Sequence, residues 1–348
     1  MRVHGNSMFR TVVLIGVFLV SGAIPVQAQM TKLHVTENWV LGGEHIGDFT
    51  ALAKGFYEAE GLKVTVTRGF GSSDAVKRVA SGVTKISRSA AQSVISGRAA
   101  GAKVKIIFVT FHKGPYATVF LKGKGISKPK DLEGRKVAQS AGASSTKLWP
   151  AYGKVAGFDA SKIINVYMGG AAYVPSLMAG KVDATSAWLV NLPAYQKAAA
   201  QAGLSGKLGT FLWADYGLQL YGSVVIASDQ LIESNSDLVR RYTRAAMRGF
   251  TYAINHPQEG IDAWMKYNTG RAREVIEGEF RLVLKLAFDK LFEKNGLGYA
   301  DPGKMKNSVA LVNKYLGLKG ALNSRDTFTN EFIEATPRAW RFPKRTKM

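Results

Sequence analysis

The residues best suited to chemistry in this chain sit in two loops of small side chains. Gly69-Phe70-Gly71-Ser72-Ser73 leads into a helix that should begin near Asp74, and Ser140-Ala141-Gly142-Ala143-Ser144-Ser145-Thr146 leads into another over residues 147–155. The first backbone N–H groups of a helix lack partners within it, and its dipole is positive at that end. Ser72, Ser73, Ser144, Ser145 and Thr146 are therefore placed to meet an anionic or carbonyl oxygen of a small molecule, and equally placed for one of them to cap its helix. Ser89 and Gln92 open the helix after a later strand and have the same two readings. Trp39 and Trp188 each follow or end a strand, where an indole either stacks on a planar ligand or packs in the core. Tyr221 starts a return segment, as a ligand contact or as packing. Lys85 and Arg88 supply positive charge that would suit a carboxylate or sulfonate if they face it.

Catalysis is poorly provided for. The five histidines, His4, His34, His45, His112 and His256, show no metal-ligand spacing. No nucleophile elbow, phosphate loop or dinucleotide fingerprint follows a strand, so no catalytic residue, metal or cofactor is expected. Glu44-His45 near Asp48 is the single acid and imidazole cluster, read as a loop beside a cleft where His45 hydrogen-bonds a ligand. With no cysteine, the chain has no thiol nucleophile, disulfide or thiolate metal site.

These loops need elements to position them. Leu33 to Thr36 and residues 63–67 read as strands, with a helix from Ile46 to Glu60 between them ended by Gly61. Val104 to Val109 is a β-branched run fit for a buried strand. The pattern restarts after residue 130, and Val76 to Ala90 can be laid over Val174 to Trp188, with Gly82 opposite Gly180. A strand follows Tyr221, and residues 237–255 carry Leu238, Tyr242, Ala245, Ala246, Gly249 and Ala253 at helical spacing. Strands alternating with helices imply an α/β architecture of mostly parallel, covered sheets. Two lobes are expected, residues 30–112 with 222–335 and residues 113–221, joined by two crossing segments that are natural hinges. Residues 336–348 form a basic tail.

The N-terminus has Arg2 and Arg10 ahead of an apolar run, Val12 to Val20, and the small-residue end Val26-Gln27-Ala28. Residues 1–28 read as a secretory signal peptide cut after Ala28, placing the protein in the periplasm. Met8 would serve equally as a start. No later run reaches the roughly 20 apolar residues a membrane helix needs. The net charge of +22 is scattered along the chain without an arginine stripe or nucleic-acid module, so it reads as solubility with a mild attraction for anions, and no nucleic-acid partner is expected.

Several segments together resemble a known family. Ala51 to Val64 (ALAKGFYEAEGLKV), the Gly71-Ser72-Ser73-Asp74-Ala75 loop, Ile126 to Val137 (ISKPKDLEGRKV), Ala179 to Ala184 (AGKVDA) and the stretch from Ala227 to Leu231 are similar to the NMT1/THI5-like, or SsuA-like, substrate-binding proteins of ABC transporters. The resemblance implies a type II periplasmic binding protein fold with mixed sheets covered by helices. It implies a monomer that closes two lobes on a small organic molecule of sulfonate, carboxylate, pyrimidine or aromatic type, and delivers it to an ABC permease and ATPase at the inner membrane. A sensor partner of a membrane receptor is the alternative within the same fold. Where relatives have an acid in the first lobe, this chain has Lys85. The fungal pyrimidine-synthase branch of the family uses a cysteine-rich motif that is absent here.

Overall fold

Each β-branched run becomes a strand because the amphipathic segment next to it folds as a helix and covers it. The computed structural model describes residues 1–2, 29–318 and 322–344, so the expected signal peptide lies outside the described residues apart from Met1 and Arg2. The first lobe begins with β1 (Thr31–Thr36), α1 (Ile46–Ala53), β2 (Leu62–Thr67), α2 (Ser72–Ala80), β3 (Ile86–Ala90), α3 (Ala91–Ala99) and β4 (Val104–Val109). The second contains β5 (Tyr116–Leu121), β6 (Lys136–Gln139), α4 (Ser144–Ala156), β7 (Ile164–Tyr167), α5 (Tyr173–Met178), β8 (Ala184–Trp188), α6 (Leu192–Gln201) and β9 (Leu208–Leu212). β10 (Ser223–Ser228) returns to the first lobe. Helices follow: α7 (Asp229–Ser234), α8 (Ser236–Asn255), α9 (Pro257–Tyr267), α10 (Arg273–Ala287), α11 (Lys290–Asn295), α12 (Pro302–Leu316), α13 (Glu331–Glu334) and α14 (Arg338–Arg341).

The two sheets share one plan, β2-β1-β3-β10-β4 and β7-β6-β8-β5-β9. In each, the fourth strand is antiparallel to both neighbours, and it is the strand laid down just after the chain crosses between lobes. The overlay of residues 76–90 on 174–188 falls on α2–β3 and α5–β8, which occupy matching places in the two plans. The crossings, residues 110–115 and 213–222, are zipped together by Gly222 N–H to Phe111 O at 3.0 Å and Thr110 N–H to Ser223 O at 2.9 Å. His112, in the first crossing, bonds Asp289 through Nδ1 at 2.9 Å.

Two expectations change: the sheets, expected to be mostly parallel, are mixed, with two of the four pairings in each antiparallel, and one helix is shorter. The helix expected over residues 46–60 stops at Ala53, because Gly55 turns left-handed (φ 66°) and its N–H and that of Phe56 fold back onto Leu52 O and Ala51 O. The tail, as far as it is described, packs: Leu297 donates its N–H to Arg341 O at 2.7 Å, and the Arg248 guanidinium lies 5.5 Å from the Trp340 ring.

One buried ion network ties these elements. Arg88 on β3 is 1% exposed, yet Nε donates to Asp48 Oδ2 of α1 at 2.9 Å and Nη1 to Thr110 Oγ1 after β4 at 2.6 Å. Tyr57 and Tyr242 donate to the other Asp48 oxygen at 2.9 and 3.2 Å, and their rings stack at 5.7 Å. Glu37 Oε2 lies 3.1 Å from Arg88 Nε but off its N–H direction, and burial with the nearby Asp48 charge raises its pKa well above the carboxylate range. Breaking one partner of such a pair leaves an uncompensated charge in a dry site. Arg88→Met should therefore cost about 3–5 kcal/mol in urea unfolding. Tyr57→Phe removes one hydrogen bond and should cost about 1 kcal/mol. Equal, small losses in both variants would show that the network does not hold α1 to the sheet.

Candidate ligand-binding cleft

The carboxyl ends of β1, β3, β6 and β8 point at the gap between the lobes, the position where helix starts and strand ends converge. A cavity of about 400 Å³ lies there. The first lobe gives it Asn38, Trp39 and Val40 after β1, Glu44 ahead of α1, Ser72 at the start of α2, and Gly270 and Arg271 before α10. The second gives Ser144 and Ser145 at the start of α4, Tyr173 and Val174 of α5, Ser186 and Trp188 of β8, and Asn191 and Tyr195 around the start of α6.

The lobes meet around this cavity. Trp39 and Tyr173, from opposite lobes, pack against each other at its wall with centroids 6.0 Å apart, and Trp39 lies so close to Gly170 that a Cβ there would sit 2.1 Å from the indole. Ser73 donates its N–H to Gly142 O at 3.1 Å, and Gln92 Nε2 donates to Ser144 O at 2.7 Å. Gly71 adopts φ 138° and packs against the Gly142 carbonyl, where a Cβ would clash at 2.1 Å, so glycine is required on both counts. Trp188 stands edge-on to Phe111 and Tyr116 at 6.2 and 6.0 Å, next to the first crossing.

Of the residues expected to face a ligand, Trp39, Ser72, Ser144, Ser145 and Trp188 line the cavity. Six do not. The Ser73 amide is engaged by the other lobe, as is the Gln92 amide. Ser89 Oγ, on β3, donates to Ser72 O at the start of α2 at 3.0 Å, and Thr146 Oγ1 closes its own loop on Ser140 O at 2.7 Å. Tyr221 packs beneath the hinge: its hydroxyl accepts the Asp301 N–H at 2.9 Å and the Lys304 ammonium lies 4.9 Å from its ring. His45 is fully buried behind the wall rather than in it. Of the two cations offered to an anion, Lys85 is exposed just ahead of β3 and Arg88 is consumed by Asp48.

His45 nevertheless shapes the floor. Gly42 donates its N–H to Nδ1 at 3.1 Å, which assigns the ring proton to Nε2, and Nε2 then donates to Asn38 Oδ1 at 3.2 Å. Burial, with the Arg88 and Arg271 charges, keeps the imidazole neutral by lowering its pKa well below the usual value. With Oδ1 engaged, the Asn38 amide has its N–H donors left for the cavity. Glu44 Oε1 is 3.6 Å from the same Nε2, while Oε2 is buried with no partner. Burial pushes the Glu44 carboxyl up to about 8 against the opposing Arg88 charge, so near neutral pH it is mostly a neutral group able to donate and accept. The Tyr173 hydroxyl is a second buried polar atom without a partner. Arg271 is partly spent: Nη1 donates to Leu41 O at 2.8 Å and Nη2 pairs with Glu279, whose other oxygen takes the Gly43 N–H at 2.7 Å.

Sequence reasoning missed Asn38, Tyr173, Ser186, Asn191, Tyr195 and Arg271 as cavity residues and placed Glu44 in a different role. Arg271 carries no local signal, since it enters from the helical region more than 200 residues beyond Asn38. Asn38 was legible in principle, one residue ahead of Trp39 at the same strand end.

Among known proteins, this chain is 25% identical to the riboflavin-binding protein RibY of Chloroflexus aurantiacus over 298 residues, covering 82% of this chain and 81% of that protein. It is 20% identical to the formylaminopyrimidine-binding protein of Halalkalibacterium halodurans, covering 86% and 90%. Its fold is similar to that of the periplasmic aliphatic sulphonate binding protein SsuA of Escherichia coli, with a TM-score of 0.63 and 17% identity over 91% of this chain and 98% of that one. The family described as NMT1/THI5 like matches residues 43–260. That span carries Glu44, both helix-start loops, Trp188 and the crossings, and on it the chain belongs to the NMT1/THI5-like family.

Proposed function

We propose that the protein is an extracytoplasmic solute-binding protein that captures a compact, uncharged nitrogen heterocycle between its lobes and delivers it to an ABC permease and ATPase. The observation that carries this reading is the floor of the cavity, where Glu44 Oε1 and Asn38 Oδ1 both face His45 Nε2 and the buried Glu44 Oε2 is left without a partner. A buried polar atom without a partner costs free energy that a matching ligand recovers. A ring compound with a donor beside an acceptor on one edge meets that need, with its faces against Trp39, Tyr173 and Trp188.

The same floor disfavours a sulfonate or carboxylate. Among the described residues lining the cavity, Arg271 is the only cation, and Glu279 shares it. The two relatives named above carry the names of nitrogen heterocycles, riboflavin and formylaminopyrimidine, and so support this class. Signal-peptide features in residues 1–28 support export, and the fold's two hinge crossings support release by reopening.

Two measurements test the reading. In a thermal-shift screen of pyrimidines, flavins, aromatic acids and alkanesulfonates, one heterocycle class should give a saturable rise, of about 2.7 kcal/mol at a hundred times Kd. Glu44→Gln should weaken that ligand by about 1–3 kcal/mol, and Trp188→Ala should reduce the shift further by opening one wall. A saturable response to sulfonates alone, unchanged in Glu44→Gln, would overturn the ligand class.

The second concerns pH without ligand. The Glu44 pKa rises from its ordinary 4.5 to about 8 on folding, so the folded state keeps a proton that the unfolded chain releases. Its contribution to stability is present below the unfolded value and is lost as pH rises through about 8. Glu37 and Glu279 are raised as well and act in the same direction. His45, with a lowered pKa, acts the opposite way but only below its ordinary 6.5. Melting temperature should therefore fall between about pH 6.5 and 8.5, and Glu44→Gln should flatten the slope. An identical slope in the variant would place the proton elsewhere.

A further inference from the structure

The end of the second lobe opposite the cleft carries an unbalanced positive charge. The starts of β6, β7, β8 and β9 meet the end of β5 there, since Leu121 pairs with Leu208, Phe120 with Ala184 and Lys136 with Ile164. Lys122 donates its backbone N–H to Lys207 O at 2.6 Å, and Gly134 donates to Lys162 O at 3.0 Å. Lys122, Lys136, Lys162 and Lys207 thus leave one surface, all exposed. The adjoining turns add exposed Lys124, Lys128, Lys130 and Lys181.

Four acids at this end, Asp131, Glu133, Asp159 and Asp183, offset only half of the charge of the eight lysines. Asp131 holds the Ser127 and Lys128 N–H groups at 2.9 and 3.1 Å, Asp159 that of Ser161 at 2.9 Å, and Asp183 that of Lys136 at 2.8 Å. Glu133 takes the Asp159 N–H at 2.9 Å and reaches one lysine, Lys162, at 3.2 Å. The matching end of the first lobe is less positive, because its Lys32, Lys63, Lys85 and Lys103, with Arg98 and Arg244, stand among Glu58, Glu60, Asp229 and Glu233. Beside the second-lobe lysines, the edge strand β7 exposes Ile164 (49%) at its start.

We propose that this lysine-rich end of the second lobe docks on a bilayer surface bearing anionic phospholipid headgroups. Lysine is a compact charge on a flexible stem, and eight of them spread over separate turns suit a diffuse, laterally mobile negative surface better than a fixed array of acids. The exposed Ile164 side chain at the rim matches the interfacial layer beneath the headgroups. The docking is independent of what the cleft holds, and it would keep a solute carrier beside the membrane.

Vesicle co-sedimentation tests it, with protein from Gln29 onward, because both lobes begin after that residue and an apolar leader would bind vesicles by itself. The protein should pellet with phosphatidylcholine vesicles containing about a third phosphatidylglycerol, stay in solution with phosphatidylcholine alone, and be released as salt rises from about 50 to 300 mM. Combined Lys122→Glu, Lys124→Glu and Lys207→Glu should weaken the binding by at least about thirtyfold. The same number of reversals on the first lobe, Lys32→Glu, Lys63→Glu and Lys85→Glu, should leave it within about threefold. Equal losses in both triple variants would mean that overall charge alone drives binding and would overturn the proposal. Absence of binding to the anionic vesicles at low salt would also overturn it, and would leave an acidic protein as the partner for this surface. Neither outcome touches the cleft, whose ligand response is read separately by thermal shift.

Discussion

The Arg88 guanidinium is the constraint around which the first lobe is organised. Burying it carries a desolvation cost that must be offset by partners in good geometry, and Asp48, Thr110 and the two tyrosines supply them from α1, the end of β4, the turn before β2, and α8. Fixing α1 in this way fixes the loop before it, and that loop carries Glu44 and His45. The charge network thus sets the floor of the cleft without touching it.

The same buried charges account for the proton chemistry of the floor. Glu37, Asp48, Glu44 and Glu279 crowd one region where, among the described residues, Arg88 is the fully buried cation; burial first, then repulsion from Asp48 and Glu44 at Glu37 and from Glu279 at Glu44, drives Glu37 and Glu44 toward their neutral forms. His45 is neutral for the complementary reason, since burial first and then two nearby guanidinium groups disfavour its charged form. A site that looks crowded with acids and imidazole in the sequence is, at neutral pH, largely an array of uncharged donors and acceptors. That favours recognition of an uncharged polar edge over capture of an ion.

Closure rests on few bonds. The Ser73 amide and the Gln92 side chain each make one hydrogen bond to a carbonyl of the second lobe, and the Trp39 ring packs on Gly170. Individual hydrogen bonds contribute about 1 kcal/mol net, so these contacts bias the equilibrium between open and closed lobes without locking it. A ligand shifts that equilibrium only by its preference for the closed form, and contact with walls from both lobes provides the preference.

Much of this was legible in the sequence, and the limits have a physical reason. Local patterning showed the α/β character, the β4 and β10 strands, α8 with its buried face, the crossings and the small-residue loops ahead of α2 and α4, because strand alternation, helical spacing and helix starts are decided by neighbouring residues. The restart of the pattern after residue 130 suggested the two lobes, and the family resemblance added the type II binding-protein fold. Which way each polar side chain turned was decided by tertiary structure alone. Arg88 found Asp48 forty residues away, Ser73 and Gln92 were engaged by the opposite lobe, and Arg271 arrived from the C-terminal helices. A buried polar group must find its partner wherever the fold brings one, and that partner's distance along the chain leaves no mark on the local sequence.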